Sequence, residues 1–96
     1  MSLSEKLKDF AGAIALATSL APDEYDKWCG WTYESHMTDL KELWSYIRPR
    51  AVQDLELADE IHANLQRMFG AFETGNKAEG RAAAWDIYNS NFRKLQ

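Results

Sequence analysis

The spacing of the apolar residues constrains this chain more than any other feature. Leu3, Leu7, Phe10, Ile14 and Ala17 follow one another at steps of four and three. That is the repeat of one face of an α-helix. Tyr33, Met37, Leu40, Trp44 and Ile47 repeat it, and so do Leu55, Ala58, Ile61, His62, Leu65, Phe69 and Phe72. Ala78, Ala82, Trp85, Tyr88, Phe92 and Leu95 give a fourth stripe. Nothing alternates with a period of two for long enough to make a strand. The pattern predicts helices over about 3–20, 22–47, 50–73 and 77–95.

The punctuation agrees. Ser2 with Glu5, and Asn76 with Glu79, have the spacing in which a cap and the third helical residue satisfy each other's free N–H groups. Pro22 suits a first helical turn. Arg48-Pro49-Arg50 ends the second segment, because the residue before a proline is pushed out of the helical region. Thr74-Gly75-Asn76 reads as a helix stop followed by a start. Short connections make neighbouring helices antiparallel. The expectation is all-α: an antiparallel up-down four-helix bundle, one domain over residues 1–96.

The stretch Tyr25-Asp26-Lys27-Trp28-Cys29-Gly30-Trp31-Thr32-Tyr33 sits awkwardly in that scheme. A continuous helix from 22 to 47 would turn Trp28 and Trp31 away from the Tyr33–Ile47 stripe. A break near Gly30 removes the conflict. Gly30 would take a left-handed conformation, Trp31 would pack back on Tyr25, and a new helix would start near Thr32. The rings would then either close the end of the bundle or form an exposed patch flanked by Asp23, Glu24, Asp26 and Glu34.

Charge and composition exclude several function classes. Fifteen acidic against eleven basic side chains leave a net charge of −4. Residues 1–47 hold eight of the acids and four of the bases, so the acidity belongs to the first half. Nucleic acid and anionic membrane are poor partners for such a chain. The segment before Ala-Gly-Ala-Ile-Ala-Leu-Ala mixes both charge signs, unlike a signal peptide, and the run itself is too short for a membrane span. One cysteine makes no internal disulfide, which fits a reducing, cytoplasmic setting.

Little in the sequence carries chemistry. There is no glycine-rich phosphate loop, nucleophile elbow or cofactor motif. Cys29, at a helix C-terminus beside acids, would be inert. Asp59 and His62 have the i, i+3 spacing of half a bundle metal site. His36 has Tyr33 three positions before it instead of an acid, so the second half is missing. A histidine on an apolar face, as His62 is expected to be, serves more often as a hydrogen-bonded core residue.

The expectation is therefore a non-enzymatic helical protein that works by binding a protein, as an adaptor, inhibitor or accessory subunit of the kind common in bacteria and phages. Its contact surface would be Asp23, Glu24, Tyr25, Asp26, Trp28 and Trp31, since Trp and Tyr beside acids suit a binding hot spot. The acidic run Asp54, Glu56, Asp59, Glu60 is a second choice. With the third helix starting near Arg50, those acids would lie in its first turns, where the helix dipole favours them. One alternative is a metal- or small-ligand-binding bundle using His36, His62 and nearby carboxylates. Another is a structural homodimer, since Leu16, Tyr46, Val52 and Ile87, with Trp28 and Trp31, fall outside the stripes.

Overall fold

A computed structural model describes residues 2–28 and 30–96. Cys29, expected to be inert, lies outside the described residues. The chain forms an antiparallel up-down four-helix bundle: α1 (Leu3–Ala17), α2 (Tyr33–Ile47), α3 (Leu55–Glu73) and α4 (Lys77–Tyr88). Two 3₁₀ turns, Arg48–Arg50 and Phe92–Leu95, follow α2 and α4. No strand occurs among the described residues. No helix among them is long and apolar enough to cross a membrane.

The caps explain where the helices begin. Ser2 Oγ accepts from the Glu5 N–H at 3.2 Å. Thr32 and Ser35 form a reciprocal capping box, which fixes the start expected near Thr32. Asp54 Oδ1 accepts from Leu57 N–H at 3.0 Å, so α3 starts at Leu55, later than expected. The residues between Arg50 and Asp54 are not helical, and Asp54 caps the helix instead of lying in its first turn. At the other end of α3, Asn76 N–H bonds to Ala71 O and Gly75 N–H to Phe72 O. This is a Schellman closure, and it needs the positive φ of Gly75, +79°. Asn76 then caps α4 through Glu79 N–H. Three residues stop one helix and start the next, as their order implies.

The core is built from the inner faces of all four helices. Phe10 stacks on Trp44 with centroids 5.3 Å apart and meets Phe92 edge-on at 6.0 Å. Ile14, Leu40, Ile47, Ile61, Leu65, Met68, Ile87 and Leu95 are buried around them. The α1 and α2 stripes therefore point where their spacing predicts, although Leu3 and Tyr33 are only half-buried. In α3 the stripe holds except at its first turn, where Leu55 is exposed.

In α4 the expected stripe is reversed. Ala78, Ala82, Trp85 and Tyr88 are exposed, and the buried face is Gly80, Ala83, Ala84 and Ile87. Ile87, expected off the stripe, is core. The physical reason is close approach. The α4 backbone lies against α3, and the Phe72 ring occupies the place beside Gly80 where a side chain would begin. A Cβ built there would stand 2.3 Å from Phe72 Cε1. Only small residues allow this contact, so the bulky rings of α4 point outward. Phe92 and Leu95 still reach the core, but from the 3₁₀ turn and not from a continued helix.

Two sets of ion pairs hold α4 in place. Arg67 of α3 bonds to Glu79 and Asp86 of α4. Lys77 and Arg81, also on α4, reach the connection between α1 and α2.

This packing predicts an inversion of the usual helix-propensity rule. Alanine normally improves an internal helical glycine by about 1 kcal/mol. Gly12→Ala, where added carbon meets nothing within 4 Å, should raise the melting temperature or leave it unchanged. Gly80→Ala should lower it, by about 1–3 kcal/mol of overpacking strain on Phe72. Thermal melts followed by circular dichroism compare the two directly.

Candidate interaction site at the α1–α2 connection

The described residues between α1 and α2 form turns and extended chain, not the short helix expected before Gly30. Partners far away in sequence hold them there. Arg81 Nε donates to Ala21 O and Arg81 Nη2 to Ser19 O, each at 2.8 Å. These bonds satisfy two carbonyls beyond the end of α1. Helix α1 stops at Ala17, three residues short of expectation.

Glu24 accepts from Lys77 at 3.1 Å and from Arg81 at 3.0 Å, and Asp23 accepts from Lys77 at 2.9 Å. The Arg81 hydrogen bond first, then Lys77, holds the Glu24 carboxyl below its ordinary pKa. Asp23 and Glu24 were expected on a partner-binding surface. Both are exposed, and they also fasten the connection to α4.

The next anchor is a histidine. His36 is 0% exposed, the one polar residue buried in the core among the described residues. Its Nε2 lies 2.8 Å from Ala13 O of α1, and its Nδ1 lies 2.6 Å from the Tyr25 hydroxyl. A carbonyl only accepts, so Nε2 carries the proton. Nδ1 is then the acceptor and Tyr25 O–H donates. One neutral imidazole thus joins α1, α2 and the connection. Tyr25 and Trp31 also meet the imidazole ring edge-on, with centroids 5.6 and 5.3 Å from it. Gly30 carries the expected left-handed φ, +74°, which turns the chain toward Trp31.

Trp28 is the opposite case. It stands 91% exposed, between the Tyr25 and Trp31 anchors. Asp26 Oδ1 accepts from its N–H at 3.1 Å, closing a local turn. The aromatic cluster therefore divides. Tyr25 and Trp31 grip the core histidine, and Trp28 is presented to solvent.

The candidate metal residues do not come together. His36 is engaged as above. Asp59 pairs with Arg48 at 2.8 Å, and His62 Nδ1 accepts from Trp44 Nε1–H at 3.1 Å. Among the described residues no group of three or more His, Cys, Asp or Glu stands where it could hold a metal ion. His36, and not His62, is the fully buried histidine. Of the acidic run, Asp54 caps α3 and Asp59 pairs with Arg48, while Glu56 and Glu60 are exposed. No protein-family model, curated protein or solved structure matches the chain.

Burial pushes the His36 pKa below its ordinary 6.5, outweighing the Ala13 hydrogen bond and the Asp39 charge. As pH falls, the unfolded chain therefore takes up this proton before the folded one does. Stability should be full above about pH 6.5 and decline below it, levelling off once pH passes the folded value. The Glu24 pairs are lost in a lower window, below the carboxylate's ordinary 4.5. His36→Gln removes the titration. Melting temperatures between about pH 7.5 and 5 should fall for the wild type and stay nearly flat for the variant.

Proposed function

We propose that this protein is a non-enzymatic binding module that captures a protein partner, as an adaptor, inhibitor or accessory subunit. The observation that carries the reading is Trp28, a fully presented indole on a connection tied down on both sides. Exposed aromatic side chains contribute most to binding when they are large and already held in place. Asp23 and Glu24, beside it in sequence, keep part of their surface, since both are exposed despite their ion pairs. Asp26, Tyr25 and Trp31 complete the surface. A partner with an apolar pocket bordered by cations fits this arrangement.

Trp28 makes no core contact, so Trp28→Ala should change stability by less than about 0.5 kcal/mol. The same variant, immobilised as bait against a lysate of the native host, should lose a partner that the wild type retains. Equal recovery by both proteins would contradict the reading.

A second reading is self-association, favoured by the outward face of α4. Trp85 and Tyr88 meet edge-on at 5.6 Å and are both exposed, with Ala78 and Ala82 continuing the apolar stripe. A homodimer across this face would have twice the chain mass by light scattering, and Trp85→Lys would halve it. A single-chain mass at every concentration would remove this reading.

A further inference from the structure

The sequence of helix contacts around the bundle is α2, α1, α4, α3. Each neighbouring pair in that order approaches closely, whereas α2 and α3, though consecutive in the chain, make no comparable approach among the described residues. Long side chains span the gap: Trp44 of α2 bonds to His62 of α3, and Lys41 of α2 lies over the Phe69 ring of α3. An open groove of about 680 Å³ runs along this wider seam. That lies within the usual range for small-molecule sites, about 300–1,000 Å³.

The groove has an apolar bed and a cationic rim. Val52 and Leu55 line it side by side and are 62% and 63% exposed. The buried Trp44 ring contributes beside them. Lys41, Arg48 and His62 also line it, and no carboxylate does, in a chain whose net charge is −4.

The groove's basic groups each have a neighbour that fixes them. Arg48 is held by Asp59 at 2.8 Å. Among the described residues Lys41 makes no ion pair, and its ammonium sits 4.9 Å from the Phe69 ring centre. Indole N–H only donates, so the Trp44 bond makes His62 Nδ1 the acceptor and places the neutral ring's proton on Nε2. His62, which lines the groove, therefore carries its ring N–H on Nε2.

We infer that the α2–α3 groove binds a small organic anion with an apolar body, a medium-chain or aromatic carboxylate. Val52, Leu55 and Trp44 take the body. Lys41 and the His62 Nε2–H take the carboxylate, because an unpaired ammonium and a fixed donor form charge-assisted hydrogen bonds with it. This site is separate from the Trp28 surface and does not depend on it.

The test uses the full chain and sodium decanoate below its micelle concentration, with the Trp44 indole N–H followed by NMR. Decanoate should shift that resonance saturably. Decyltrimethylammonium, with the same tail and opposite charge, should bind at least about tenfold more weakly. Leu55→Asp is a suitable control, because its side chain is exposed and the first helical turn accepts an acid. Leu55→Asp and Lys41→Glu should keep the wild-type melting temperature to within a few degrees and each weaken decanoate at least about tenfold. Absence of a saturable Trp44 shift would overturn the inference. So would equal binding of the cationic analogue, or binding indifferent to both substitutions, since either marks nonspecific detergent adsorption.

Discussion

An imidazole buried without partners would cost several kcal/mol, about the whole margin of a small domain. His36 avoids that cost by bonding both nitrogens, one to the α1 backbone and one to the Tyr25 hydroxyl. The rest of the connection depends on this arrangement. Tyr25 is fixed from one side and Trp31 packs on the ring from the other. Trp28 stands between these two anchors in sequence and is exposed.

A second constraint is side-chain volume at the helix contacts. Gly80, Ala83 and Ala84 form the buried face of α4, which packs closely on α3, while α2 and α3 meet through the longer Trp44–His62 and Lys41–Phe69 contacts. The same choice of residues has two surface effects. It turns Trp85 and Tyr88 out to solvent, and it opens the seam that Val52 and Leu55 line. Surplus apolar surface in this protein is therefore a product of the packing and not scattered at random. Among the described residues it falls on the α1–α2 connection, the outer face of α4 and the α2–α3 groove, with Leu16 on α1 besides.

Much of this could be read from the sequence where the determinants are local and large. The α1, α2 and α3 stripes, the Thr32 start, the left-handed Gly30 and the Thr74-Gly75-Asn76 turn all depend on residues within one or two helical turns. The failures have equally physical causes. In α4 the big residues outweighed the small ones in the periodicity, but close packing selects for small volume. The path after Ala17 depends on Arg81, about sixty residues away, which no local pattern announces. His36 was within reach. It lies three residues after Tyr33 and four before Leu40, so it belongs to the same face as the stripe, and only its polarity concealed that. The division of the aromatic cluster into anchors and one presented ring needed the third dimension, because it turns on which rings reach His36.

The central claim is that a neutral His36, protonated on Nε2, ties the connection to the bundle. Long-range nitrogen–proton NMR of the imidazole at neutral pH tests it most directly. The Nε2–H tautomer is expected, with that proton protected from solvent exchange and Nδ1 shifted by the Tyr25 hydroxyl, an effect lost in Tyr25→Phe. A proton on Nδ1, a charged ring, or an imidazole exchanging freely with water would contradict it.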